Sequence, residues 1–187
     1  MGRFLDHTSQ NDAMNAQGIL DRLVERFGTA IVGSDVEALD PWIGVSAEAL
    51  AEIARFLRDD ADLRFDQLNC ISGVDYLQTD PKKKADYAPH LELLYHLTSL
   101  VHKHRIVLRL VLPRWKDDVP GELPEVPTVS QVWRTADWHE REVFDLIGVR
   151  FVGHRDLRRI LCPEDWKGHP LRKDYEMPLE YHGIRGR

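Results

Sequence analysis

Leu91, Leu93, Tyr95 and Leu97 alternate with other residues along one stretch, Ile106, Leu108, Leu110 and Leu112 do so along the next, and the polar run Ser99 to Arg105 separates them. A period of two places each set on one face of a strand, and two such strands joined by a short polar connection pair antiparallel. The apolar face of that pair needs covering. Ile19, Leu20, Leu23, Val24 and Phe27 fall at helical spacing ahead of Gly28, and Leu50, Ile53, Ala54 and Leu57 repeat the pattern after Ser46, a candidate N-cap. Thr29 to Gly33 reads as a short buried strand and Leu68 to Tyr76 as a strand bulged or bent at Gly73. The expected fold class is α+β, with helices packed on a mixed, largely antiparallel sheet.

Pro113, Pro120, Pro124 and Pro127 punctuate a charged segment that continues neither helix nor central strand. A last helix is expected from Asp137, an N-cap with Glu140 at the reciprocal capping-box position, to Gly148, whose left-handed conformation only glycine takes without strain. Beyond it Gly153, Pro163, Gly168, Pro170 and Pro178 interrupt every candidate element. Three regions result: a scaffold domain over 1–127 with the Pro-rich loop at its end, a helix region over 128–148, and an extended irregular arm over 149–187. The arm is expected to gain order by lying along a neighbour, and a chain cut after Val149 to remain folded.

Charge follows the same division. The net charge is −6, but Val149 to Arg187 holds nine Lys/Arg against six Asp/Glu, a local +3 that leaves −9 for the rest. A basic arm on an acidic body suits an acidic protein surface. The acidic body and the lack of a reader helix weigh against nucleic acid. No run approaches the roughly 20 apolar residues of a membrane span, and the polar start from Asp6 to Asn15 is unlike a signal peptide.

Cys70 and Cys162 are the only cysteines, too few for an iron–sulfur cluster held by this chain. His139-Glu140 opens like a zinc-protease motif, but Val143 stands where the second histidine belongs. A small metal-dependent enzyme using His139, Glu142 and Asp145 is a rival reading; ion pairing of those helical charges is favoured over it. His102 and His104, beside the hairpin turn, read as solvated. Phosphate-loop, dinucleotide and nucleophile-elbow patterns are absent from the sequence. What is unusual is the density of Trp and Arg after Pro127, the residue types that dominate binding hot spots.

The run Trp138-His139-Glu140-Arg141-Glu142-Val143-Phe144-Asp145-Leu146-Ile147-Gly148-Val149 resembles the signature of the C subunit (30 kDa subunit family) of NADH-quinone oxidoreductase, respiratory complex I. The likeness continues through Phe151 to Leu161 and Asp165 to Tyr175; Arg155 and Glu176 stand where the family commonly has proline. The resemblance implies a non-catalytic structural subunit of the peripheral arm, docked on the D subunit, which forms the quinone pocket with the B subunit. It implies no flavin, iron–sulfur cluster, quinone or metal held by this chain, and a place at the cytoplasmic face of the membrane reached through partners. Ending at Arg187, the chain is similar to the separate rather than the D-fused form. Equivalent subunits occur in related membrane-bound hydrogenases and other-donor dehydrogenases, an alternative at this stage.

The structural and interface residues so implied are Trp138, Glu140, Arg141, Glu142, Asp145, Gly148, Gly153, His154, Asp156, Arg158 and Arg159, then Trp166 and the run Gly168-His169-Pro170-Leu171-Arg172-Lys173-Asp174-Tyr175. Glu142 and Asp145 are expected to fix the arm's departure through its backbone or through Arg158 or Arg159. Trp166, Leu171 and Tyr175 are the expected anchors on the partner.

Overall fold

The computed structural model describes residues 14–185; the polar start from Asp6 to Ala13 lies outside them. Helix α1 (Ala16–Phe27) is capped by the Asn15 side chain, which accepts from the Gly18 N–H, and ends at Gly28. Strands β1 (Ile31–Asp35) and β2 (Trp42–Val45) follow, then α2 (Leu50–Asp59), β3 (Gln67–Tyr76), β4 (His90–Ser99) and β5 (His104–Leu112). The chain continues through β6 (Glu125–Pro127), α3 (Ala136–Leu146), β7 (Arg150–Val152) and a two-residue hairpin, β8 (Glu180–Tyr181) and β9 (Ile184–Arg185). The main sheet runs β1-β2-β5-β4-β3, antiparallel throughout except where β2 pairs parallel with β5. The fold is α+β on a mixed sheet.

The alternation that anchors the sequence reading sets the register. Leu93 faces Leu110, Tyr95 faces Leu108 and Leu97 faces Ile106, and all are buried. These side chains share one apolar cluster with Ile19 and Leu23 of α1, the Leu50-Ile53-Ala54-Leu57 stripe of α2, and Val143 and Ile147 at the end of α3. The three helices therefore cover one sheet face.

Several local expectations are corrected. Thr29 to Gly33 is not a buried strand: a 3-10 turn occupies Gly28–Ala30, and β1 is mostly exposed because it is an edge strand paired only with β2. Ser46 caps no helix. Its N–H donates to the Ala30 carbonyl and prolongs the β1–β2 pairing, and α2 starts after Ala49 without a side-chain cap. The irregularity in β3 falls between Leu68 and Cys70 rather than at Gly73. Gly73 instead gives way to α3: a Cβ there would lie 2.9 Å from Ile147 Cγ1. His104 is buried, not solvated. Its ring lies tilted against Phe65 with centroids 4.8 Å apart, its Nε2 donates to the Leu63 carbonyl at 2.7 Å, and burial lowers its pKa.

Two further corrections concern the C-terminal third. The end of the Pro-rich segment forms β6, which pairs parallel with β7, so the segment is not loop throughout. Beyond Gly148 there are three short strands where the Gly and Pro breaks suggested none.

Candidate functional site

The helix α3 and the segment that follows it form a connected polar system, built from three staples. The first is Asp145, fully buried near the end of α3. Its Oδ2 accepts from the N–H groups of Ile160, Leu161 and Cys162 at 3.0, 2.7 and 2.9 Å, while Oδ1 takes the Arg159 guanidinium at 2.6 Å. Burial alone would raise the carboxyl pKa; the three backbone donors and Arg159 outweigh it and hold the group below its usual range. Arg159 also donates to the Asp145 and Gly168 carbonyls, tying two stretches of arm to one helix end.

The second staple is Arg172, 5% exposed. Its Nε donates to the Ile147 carbonyl at 2.7 Å and its second terminal nitrogen to the Gly148 carbonyl at 3.1 Å, while the guanidinium lies 3.7 Å from the centre of the Trp115 ring. These carbonyls end α3, where a cation complements the helix dipole. Burial, then the charge of Arg114, brings its pKa down to about 10. Beside it His169 lies against Gly148, which has φ +77°; a Cβ there would come within 2.4 Å of the imidazole. Gly148 is thus required twice, by its backbone angle and by the ring packed on it. His169 Nδ1 donates to the Asp145 carbonyl at 3.0 Å.

The third staple reaches the sheet. Arg114, just past β5, holds Asp75 of β3 through two contacts of 2.8 and 2.9 Å and holds Asp174 of the arm through two more. Asp75 also accepts from the Lys173 N–H at 2.8 Å. The Arg114 guanidinium lowers the Asp174 pKa.

At the other end of α3, Asp137 and Glu140 do not form the expected capping box, and Thr135 holds the N-cap position without a side-chain capping bond, its hydroxyl donating instead to the Leu68 carbonyl at 3.0 Å. Glu140 is fully buried and points back to the preceding segment, where its two oxygens accept from the Val129 N–H and the Thr128 hydroxyl. Burial pushes its pKa up to about 7 against those two stabilising bonds. The buried Tyr95 phenol is raised well above its ordinary range, by burial first and then by the Glu140 charge. His154 caps the cluster with a fully buried ring. Its Nε2 donates to the Asp137 carbonyl at 3.1 Å and stands 3.9 Å from Glu140, and its Nδ1 accepts from the Asp156 N–H. Arg141 pairs with Asp137 at 2.8 Å and with Asp156 at 3.6 Å.

The structure therefore separates the residues singled out from sequence. It joins Asp145, Gly148, Arg159, Gly168, His169 and Arg172 at one end of α3, and Glu140, Arg141, His154 and Asp156 at the other. Glu142 is exposed and forms no hydrogen bond among the described residues, so it does not fix the arm. Arg158 pairs with its neighbour Asp156, leaving Arg159 alone as the partner of Asp145. Asp145 has both oxygens committed to donors of this chain, and His139, Glu142 and Asp145 do not converge as metal ligands among the described residues. Gly153 has φ +85° at the turn after β7. Trp166 and Tyr175 are half-buried: Trp166 lies 5.1 Å from Tyr181, and Tyr175 packs against Gly168. Sequence reasoning missed Asp75, Arg114 and Trp115, whose partners lie 39 to 98 positions away along the chain.

The arm is thus seated on its own body rather than ordered only by a neighbour. Phe151 is buried and β7 pairs with β6, so a cut after Val149 would remove part of the core. Among the charged residues that the arm leaves outside, five large apolar side chains, Leu161, Leu171, Met177, Leu179 and Ile184, are all more than half exposed.

Residues 43–181 match the family described as "Respiratory-chain NADH dehydrogenase, 30 Kd subunit". The chain belongs to that family. It is 42% identical over 163 residues to the C subunit of the NADH-quinone oxidoreductase of Chloroherpeton thalassium, covering 86% of this chain and 61% of that protein. The corresponding C subunit of Roseiflexus castenholzii is 40% identical over 168 residues, covering 90% and 88%. The chain thus spans less than two thirds of the first of these relatives and most of the second. Among solved structures, a chain of the membrane-bound sulfane sulfur reductase, an archaeal respiratory membrane complex, superposes with a TM-score of 0.65 at 23% identity, covering 88% of this chain and 87% of that one. That likeness shows the fold. Among the described residues no helix is long and apolar enough to cross a membrane.

Proposed function

We propose that the chain is the non-catalytic C subunit of an NADH-quinone oxidoreductase, a scaffold that docks on the D subunit through the outward side of its arm and supports electron transfer from NADH to quinone. In this reading flavin, iron–sulfur clusters and quinone belong to partner subunits, the B subunit completes the quinone pocket with the D subunit, and the chain sits at the cytoplasmic face of the membrane through its partners. The names of relatives at about 40% identity support the assignment over the hydrogenase-type alternative.

One observation carries the docking role. Arg159, His169 and Arg172 of the arm turn inward onto the end of α3, while Leu161, Leu171, Met177, Leu179 and Ile184 are exposed on its outer side among charged residues. The exposed apolar side chains add nothing to the isolated domain, whereas a partner that buries them gains about 1.5–3 kcal/mol per large side chain. Replacing Leu161→Asp together with Leu171→Asp tests it, since both are exposed and the fold should persist. The double variant, expressed in place of the wild-type chain, is expected to be lost from the complex purified from solubilised native membranes. Wild-type recovery would refute arm docking.

A further inference from the structure

A cleft of about 580 Å3 opens beside the start of α3, lined by Ser130, Gln131, Arg134, Asp137, Trp138 and Arg155. It lies apart from the three staples and contains none of the arm's outward apolar residues. Its floor is fixed. Trp138 is 62% exposed, yet the Arg141 guanidinium lies 4.1 Å from its ring centre and is itself held by Asp137 and Asp156. With one indole face locked on a cation, the other is presented to solvent at little further cost in ordering, the condition under which a tryptophan contributes most to an interface.

The charge of the cleft is also specific. Asp137 is engaged by Arg141, whereas Arg134 and Arg155 are exposed and have no ion-pair partner among the described residues. Two uncompensated guanidiniums flank an exposed indole in a chain whose net charge is −6. Guanidinium groups pair with carboxylates in fixed planar geometry, and an indole takes an apolar or aromatic side chain between them. A polyanionic strand would have to pass Asp137 and Asp156 and an acidic body.

We infer that this cleft is a second docking site, which takes an acidic segment of a neighbouring protein chain, with carboxylates on Arg134 and Arg155 flanking an apolar side chain on Trp138. The inference rests on the reading of the chain as a subunit of a larger complex, and it adds a contact at the opposite end of α3 from the staples that present the arm.

The test places a photoreactive group in the full chain, assembled in its native membranes. Gln131→p-benzoyl-phenylalanine lines the cleft and leaves the three side chains at issue unchanged, and Leu171→p-benzoyl-phenylalanine reports on the arm. Irradiation of the first is expected to give an adduct whose mapped segment lies in another subunit and carries Asp or Glu beside an apolar residue. Adding Arg134→Glu with Arg155→Glu should cut the adduct yield roughly tenfold or more. The neutralising pair Arg134→Gln with Arg155→Gln, which adds no like charge and is milder should the reversal affect folding, should cut it severalfold. An adduct at position 171 with none at 131 overturns the cleft and leaves the subunit reading intact. So does a mapped segment without carboxylates, an adduct to nucleic acid, or a yield indifferent to both charge variants. Absence of adducts at both positions overturns the subunit reading and this inference with it.

Discussion

Replacing Glu140→Gln should make the protein more stable at pH 8 and leave it nearly unchanged at pH 5. Glu140 is fully buried, and burial lifts its pKa from an ordinary 4.5 to about 7. Because the folded state holds the proton more tightly than the unfolded chain, folding is favoured most at low pH. Stability then falls as pH rises between 4.5 and 7, and levels off above 7. At 1.36 kcal/mol per pH unit, the interval corresponds to a loss of about 3 kcal/mol, of which about 2–3 kcal/mol accrues between pH 5 and 8. Glutamine keeps an acceptor for the Val129 N–H, and its amide can donate to the Thr128 hydroxyl, whose present donation to Glu140 can pass to Ser130, 2.8 Å away. The variant therefore keeps the local bonding without the buried charge. Urea unfolding of both chains, followed by tryptophan fluorescence at intervals from pH 5 to 8.5, gives the difference directly and cancels every other titrating group. A difference that stays flat across the range, or a variant less stable than wild type at pH 8, would refute the argument that burial dominates at this carboxyl.

Asp145→Asn leaves Arg159 and three backbone N–H groups facing a neutral amide; a loss of about 2–4 kcal/mol and faster amide exchange over 160–162 are expected, and unchanged exchange there would count against the staple. Gly148→Ala should cost more than about 2 kcal/mol, and combining it with His169→Ala should recover the steric part, leaving about 1 kcal/mol of backbone strain; additive losses in the double variant would show that the ring is not the obstacle. Glu142→Ala, by contrast, should shift stability by no more than about 0.5 kcal/mol and leave amide exchange in the arm as in wild type, since the side chain is exposed; a large effect would restore a role in holding the arm.

The β4–β5 pair was legible because a period of two is a local signal that survives any tertiary context. The helices were legible for the same reason, down to Gly28 ending α1. What escaped was whatever depends on a distant partner. β2 is only four residues long and carries Gly44, so no alternation marks it, and it exists because β5 offers a parallel edge. Gly73 reads as a bend until Ile147 of α3 is known to press on it. His104 looks solvated beside a turn because nothing local reveals Phe65 and the Leu63 carbonyl.

The same limit explains the misassigned carboxylates of α3. Spacing places Asp137, Glu140, Glu142 and Asp145 within three turns of one helix, and helical rules treat them as surface charges that cap or pair locally. Burial decides otherwise. Glu140 and Asp145 are fully buried, while Glu142 is exposed between them, an ordering set by which side of α3 meets β3, the 128–130 segment and the returning arm. The two buried acids then diverge because their donors differ. Glu140 receives one hydroxyl and one N–H and is pushed toward its neutral form; Asp145 receives three N–H groups and a guanidinium and remains charged. One carboxylate thereby fastens the arm strongly at neutral pH, while the other makes the packing of the segment before α3 depend on pH, and both follow from donors that lie 11 to 17 positions along the chain from the carboxylates they hold.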